Sequence, residues 1–319
     1  MDYSVFIAST LADIGFESEN VFNCFQPPYE PERGWELKLP DVEFGARTVL
    51  MLHFQDFIST EDAFLELLKV EEKYKDRANR VIAVHMMRDL DSYYRGPVNL
   101  IEYSSHNVIT VNNLQACRDQ WIAEFGQPRD INWMSLNGRE CNHRLRVAQI
   151  LKDLPNGVLG YGVTYPLPGE WPYQTYRGTE NHENFVRLAN LYARAKINIV
   201  TETRYEKRPG LISEKFIMAA VAGQIPIVIG NPGIVKDCQE IGFDMFDDVV
   251  DISYDWAPNE TRVEQALIRN QELIVNGIDF AQYQSRLDAQ QRWALEMLEN
   301  KYQTMFREQA TKIADRLLP

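Results

Sequence analysis

Ile197-Asn198-Ile199-Val200 with Thr201-Glu202 behind it, then Ser213 to Ala222, then Gly223-Gln224, then Ile225-Pro226-Ile227-Val228-Ile229-Gly230: the fold is decided in this stretch. Two short apolar runs of buried-strand type flank a segment headed by Ser213, a residue suited to capping a helix start. The pattern predicts strands over Ile197–Val200 and Ile225–Ile229, with a helix over Ser213–Ala222 between them. Strand, helix, strand is the unit from which parallel sheets are built.

The same alternation extends upstream. A strand is expected over Asn132–Leu136, a helix over Cys141–Leu154, a strand over Val158–Val163, and a helix over Asn184–Ala195 after a Pro/Gly-rich loop, Pro166 to Gly178. Gly126-Gln127-Pro128-Arg129-Asp130 reads as a boundary. Ahead of it, apolar runs at Thr48–Leu52, Val81–Val84, Val98–Ile101 and Val108–Val111 predict further strands. A helix begins at Thr60, with Phe64, Leu67, Leu68 and Val70 near one face. The first forty residues, rich in proline and aromatics, read as an irregular arm. Apolar residues from Phe280 to Phe306 recur in steps of three and four, as in one long amphipathic helix. The expected fold class is therefore α/β: two Rossmann-like domains, 1–128 and 129–278, facing across a cleft and closed by a C-terminal helix over 279–319 that packs back across them. In such folds ligands sit at the carboxyl ends of the strands.

Composition narrows the classes. With 319 residues, 45% hydrophobic and 11% aromatic, the chain is globular rather than disordered. It has 33 Lys plus Arg against 46 Asp plus Glu, a formal charge of −13, which argues against a protein that coats nucleic acid or an anionic membrane. The four cysteines, Cys24, Cys117, Cys141 and Cys238, have no metal-like spacing, so reduced thiols in a cytoplasm are expected. No signal peptide is read at Met1-Asp2-Tyr3-Ser4, and the apolar stretch Ile217 to Ile229 is too short to span a bilayer. The expectation is a cytoplasmic protein (the host cytoplasm, were it phage-encoded) with no membrane partner.

Two constellations carry chemistry. Ser213-Glu214-Lys215 opens a helix, whose N-terminus and first-turn lysine suit a phosphate, while Glu202 and Glu214 suit hydroxyl groups of ribose or sugar. The other reading of the same residues is an ordinary cap with a solvated lysine. Upstream, Arg139 and Arg144 lie near a strand's carboxyl end, where guanidinium groups can clamp a diphosphate; His143 and Arg146 share the helix. The alternative there is a surface helix with three arginines and no ligand.

Ser135 and Asn137, with Arg144 seven residues beyond the asparagine, resemble the S-N-(x)6-R stretch of the α-1,3/4-fucosyltransferases. Ile197 to Gly230 is similar to that family's F-E-N-S … Y-I-T-E-K … G-x-V-P-V-V-L-G signature, with Glu202 at the first glutamate, Ser213-Glu214-Lys215 at T-E-K and Ile225 to Gly230 at the closing strand. Thr203 stands where the family has asparagine, and Gly210 where it has aspartate. Gly233 to Asp255 looks more like glycosyltransferase-like proteins of tailed phages. The resemblance implies a two-Rossmann (GT-B) fold whose second domain binds a nucleotide-diphosphate sugar as co-substrate, with no essential metal and no further cofactor. It implies that Arg144 and Lys215 hold the diphosphate, and that the glutamates hold hydroxyls. Glu102-Tyr103-Ser104-Ser105-His106 is similar to the family's E-S-P-S-H, whose glutamate is the base, so Glu102 is the first catalytic candidate and His85, ending another strand, the second.

Three features are discounted. Asp89-Leu90-Asp91 is a chance D-x-D in an acidic chain; Asp244, Asp247, Asp248 and Asp251 suit a solvated acidic loop better than a metal; and Tyr165 to Tyr176 reads as a packed loop. The expected activity is inverting, metal-independent transfer of a sugar to an acceptor hydroxyl on a glycan or protein. An alternative is a phage DNA-modifying transferase acting on hydroxymethylated pyrimidines, with Lys69, Lys73, Lys75, Arg77, Arg80 and Arg88 as a phosphate-facing edge. A second alternative is a non-catalytic nucleotide-binding scaffold.

Overall fold

The computed structural model describes residues 21–23, 49–51, 60–75, 81–85, 94–102, 121–138, 141–161, 181–203, 205–206, 212–296 and 311. The fold is α/β, and among the described residues its strands form two parallel four-stranded sheets. The chain divides into two compact units, one up to Ser105 together with the stretch from Asn300, the other from His106 to Glu299. The turn at 126–130 thus lies inside the second unit. Arg129 is tied there: its guanidinium donates to the carbonyls of Ala195 (2.7 Å) and Ala222 (2.6 Å) and stacks over Phe280.

In the first unit the sheet runs β1 (Val21–Asn23), β2 (Val49–Met51), β3 (Ile82–His85) and β4 (Asn99–Glu102), in that spatial order. Helix α1 (Thr60–Tyr74) follows β2. Its buried stripe corrects the expected one. Leu67 and Val70 are fully buried, but Phe64 and Leu68 are 38% and 41% exposed. The stripe continues instead through Glu66 and Tyr74, at positions a turn away from Val70. Lys69, one turn on, donates to Oε1 of Glu66 at 2.6 Å, while Oε2 is buried with no partner among the described residues. The expected strand at Val108–Val111 lies outside the described residues.

The second unit is built on β5 (Ile131–Asn137), β6 (Gly157–Tyr161), β7 (Ala195–Thr201) and β8 (Ile225–Ile229), in the spatial order β6-β5-β7-β8. Helix α2 (Asn142–Leu151) links β5 to β6, α3 (Asn181–Arg194) runs straight into β7, and α4 (Glu214–Val221) links β7 to β8. All five residues of β8 are buried, as in a strand covered on both faces. Trp133 sets one close approach: a Cβ on Gly157 would lie 1.8 Å from its ring, so only glycine fits opposite it. The chain then continues through α5 (Ile234–Ile241), a 3-10 turn (Ser253–Trp256), α6 (Asn259–Arg269) and α7 (Gln271–Asn276).

The tail departs from the single long helix expected from Phe280. Phe280–Tyr283 is a 3-10 turn started by Asp279, whose carboxylate accepts from the Ala281 amide, and α8 (Gln284–Glu296) begins only after it. Local capping by Asp279 competes with helix propagation there. Within the second unit α8 packs on α4, burying Leu287, Gln290 and Ala294. No helix among the described residues is long and apolar enough to cross a membrane.

Candidate functional site

The order β6-β5-β7-β8 contains a reversal. From β5 the chain moves to one side to make β6, then crosses back to β7 on the other side and continues outward to β8. The chain leaves the carboxyl ends of β5 and β7 towards opposite sides, and it is at such a reversal that doubly wound sheets bind ligands. The residues delivered there are Asn137 from β5, His143 and Arg144 from the first turn of α2, Thr201 to Thr203 from the end of β7, and Ser213 to Lys215 at the start of α4.

Ser135 and Asn137 are fully buried and stitch the two strands together. The Thr201 hydroxyl donates to the Asn137 carbonyl oxygen, the Asn137 amide to Ser135 Oγ (3.1 Å), and Ser135 to the Ile199 carbonyl (3.0 Å). Arg144 is 1% exposed, and its Nη2 donates to the Thr201 carbonyl (2.8 Å) and the Thr203 hydroxyl (3.0 Å). In this state the guanidinium fixes the end of β7. Thr203 is thus one of its partners. Arg146 points elsewhere, pairing with Glu264 on α6.

Glu202 is the most unusual group. It is 1% exposed; Oε1 accepts the Ser213 amide at 2.9 Å, while Oε2 has no hydrogen-bond partner among the described residues. Burial raises its pKa above the ordinary carboxyl value, opposed by the charge of Lys215. Ser213 caps α4, its Oγ accepting the Lys215 amide at 3.3 Å, and Lys215 Nζ lies 3.1 Å from Glu214 Oε1. The helix opens as the sequence suggests, with its lysine partly buried beside two carboxylates rather than solvated.

His143 sits edge-on to the same loop. One of its ring nitrogens, Nε2, lies 2.9 Å from the Glu202 carbonyl. A carbonyl only accepts, so a neutral ring carries its proton on Nε2 and leaves Nδ1 with a lone pair. Burial, reinforced by neighbouring Arg144, lowers the imidazole from 6.5 to about 4, so the ring is neutral near pH 7. It stacks on Tyr205 with ring centroids 4.5 Å apart and 4° between planes. Arg262, fully buried on α6, lies 5.0 Å over the Tyr205 ring and donates to the Tyr205 and Gly230 carbonyls, both at 2.9 Å. Tyr205 Oη donates to the Asn259 carbonyl at 2.6 Å. A polar side chain just past β8, Asn231, is also fully buried, and its Oδ1 has no hydrogen-bond partner among the described residues.

Tyr205, Arg262 and Asn231 are absent from the sequence reading. Tyr205 follows Glu202 closely and could have been suspected from that spacing, but Arg262 arrives from a helix 57 residues away, with no local signal. Arg139 and Gly210 lie outside the described residues. Glu102 and His85 are in the first unit, where they end β4 and β3 as register partners on adjacent parallel strands. The two candidate bases therefore share one sheet end.

The acidic cluster is explained by pairing. Arg286 bridges Asp244 and Asp248 at 2.8 Å each, and Asp251 accepts the Ser253 amide (2.9 Å) near Arg269. Among the described residues no group of three or more His, Cys, Asp or Glu is arranged to hold a metal. Asp89 and Asp91, and the 165–176 segment, lie outside the described residues. No family model matches the sequence, and no curated protein or solved structure matches the chain.

Proposed function

We propose that the chain is a nucleotide-sugar-dependent glycosyltransferase of the two-Rossmann (GT-B) type, inverting and independent of metal. The supporting observation is the switch-point cluster: a buried carboxylate with one oxygen lacking a donor, Glu202, beside a serine-capped helix start and its lysine. That is a site short of hydrogen-bond donors, and sugar or ribose hydroxyls supply them. In this reading Glu202 and Glu214 orient donor hydroxyls. Lys215, with Arg139 and Arg144, stabilises charge on the departing nucleoside diphosphate.

In the proposed reaction the acceptor oxygen bonds to the anomeric carbon from the face opposite the diphosphate. The anomeric carbon–oxygen bond breaks with its electron pair on the diphosphate, and the hydroxyl proton passes to Glu102 or to His85. The engagement of Arg144 by Thr201 and Thr203 favours a second reading, a nucleotide-binding scaffold without turnover.

A thermal-shift panel of GDP, UDP, CDP, ADP and dTDP with their common sugar conjugates tests the first step. A ligand at a hundredfold its Kd adds about 2.7 kcal/mol of stability. A shift with one nucleotide and its sugar conjugate supports the transferase reading, and donor hydrolysis or transfer separates it from the scaffold. No shift with any member overturns both.

A further inference from the structure

The stack at the carboxyl end of the second sheet is incomplete. Tyr205 has the His143 imidazole parallel to one face at 4.5 Å, which leaves the other face to the Arg262 guanidinium at 5.0 Å. The three groups form a pile: guanidinium, phenol, imidazole. Its inner end is fixed, because Arg262 is 1% exposed and its nitrogens reach the carbonyls of Ala257, Tyr205 and Gly230. The outer end is His143. One of its faces is covered by Tyr205 and its Nε2 edge by the Glu202 carbonyl, and the residue is only half-buried. Its second face and its Nδ1 edge are the parts to which no ring contact or hydrogen bond among the described residues is made.

A half-buried imidazole held at two points is a stiff, flat platform. Its neighbour in the chain is Arg144, and the carbonyl it binds belongs to Glu202, so it stands beside the proposed donor site. A planar heteroaromatic ring laid on the free face continues the pile. An N–H on the edge of that ring satisfies Nδ1. Base-on-aromatic stacking tolerates any base, since every base has a π-face, while an edge N–H supplies orientation.

We propose that His143 is the platform for the nucleobase of the donor, stacking on its free ring face and accepting an edge N–H at Nδ1. This rests on the nucleotide-sugar reading above and assigns to it a binding residue that neither the sugar nor the diphosphate chemistry requires. Because neutral imidazole is the species with an acceptor at Nδ1, the lowered ring basicity suits the role.

Calorimetric titration of the full chain with purine and pyrimidine nucleoside diphosphates and with inorganic pyrophosphate tests the assignment. Wild type is compared with His143→Ala and His143→Phe, each first checked for an unaltered melting transition. His143→Ala is expected to weaken a binding nucleoside diphosphate by roughly tenfold or more while leaving pyrophosphate unchanged. The phenylalanine variant should recover most of that loss, because it restores the ring face and not the Nδ1 acceptor. Should the alanine variant melt early, the phenylalanine variant and Tyr205→Leu carry the comparison. Equal weakening of nucleotide and pyrophosphate, or no weakening of either, overturns the platform and leaves the transferase reading standing. No nucleotide binding by the wild-type chain overturns both.

Discussion

Two helix starts in the second unit face the same electrostatic problem and solve it differently. At α5 the Asp255 carboxylate uses both oxygens, one on the Val235 amide (3.1 Å) and one on the Lys236 amide (3.3 Å). At α4 the Glu202 carboxylate uses one, on the Ser213 amide, and Ser213 itself caps the next turn. Both acids are raised by burial. Yet one uses both oxygens within its own fold, and the other keeps an oxygen that accepts from none of the described residues. The lysines differ in the same sense: Lys236 is 60% exposed and pairs with Glu240 along its helix, whereas Lys215 is 23% exposed beside two carboxylates. A closed cap is structure. An open one has room for a further donor, which is what the proposed function gives it.

The largest expected contrast is between those lysines. Lys215→Ala should lower sugar transfer by about a hundredfold or more if the lysine stabilises the departing diphosphate, while Lys236→Ala should leave it unchanged. Steady-state rates on any donor found to bind decide it. Equal effects would erase the distinction between the two helix starts.

Next come the carboxylates, read by chemical denaturation. Asp255→Ala removes two hydrogen bonds at a buried cap and should cost about 2–3 kcal/mol. Glu202→Gln keeps an acceptor for Ser213 and removes a buried charge, so its cost should stay below about 1 kcal/mol. Its damage should appear in nucleotide-sugar affinity instead. The sign with pH follows from the raised value of Glu202. Folding favours its protonated form, so the stability it contributes is complete below the unfolded glutamate value and is lost as pH rises through the higher folded one. The glutamine variant should therefore gain on wild type as pH rises.

A third contrast sets a base against these acids. His143 is lowered to about 4, so its contribution is present above 6.5 and lost as pH falls from there towards 4. That loss is at most about 3 kcal/mol, and His143→Phe should flatten it. Denaturation midpoints at pH 7.5, 6 and 4.5 check the slope. Acidification thus opposes His143 and favours Glu202, although the ring of one bonds to the backbone carbonyl of the other.

How much of this was legible in the sequence depends on range. The strands of the second unit were, because Ile225–Ile229 and its neighbours are apolar runs with glycine or capping residues at their ends. So was the start of α4, since a serine cap acts within two residues. The face of α1 was misread because Glu66, a charged residue, occupies a buried place, with Lys69 bonded to one of its oxygens. The tail was misread because steps of three and four do not reveal a side-chain cap such as Asp279. At the site, Ser213, Glu202 and Lys215 came from local spacing. The stack on Tyr205 did not, because Arg262 reaches it through the third dimension. Arg144 was legible as a cation near a strand end, but its engagement with a strand carbonyl could not be read from spacing.

The smallest effect tests the open cap most directly. Serine and aspartate are nearly equivalent at ordinary helix starts, since either oxygen accepts a first-turn amide. Ser213 is not at an ordinary one, because the Glu202 carboxylate already contacts its amide. An aspartate there would set two carboxylates against each other at one helix start, and like charges close together raise the free energy of the ionised pair. Ser213→Ala should cost about 1 kcal/mol, the usual loss of a cap. Ser213→Asp should recover none of that at pH 8 and part of it at pH 5, as one of the two acids takes up a proton. Were aspartate as good as serine at both pH values, Glu202 would be too well compensated to keep an oxygen in want of a donor, and the contrast with Asp255 would fall.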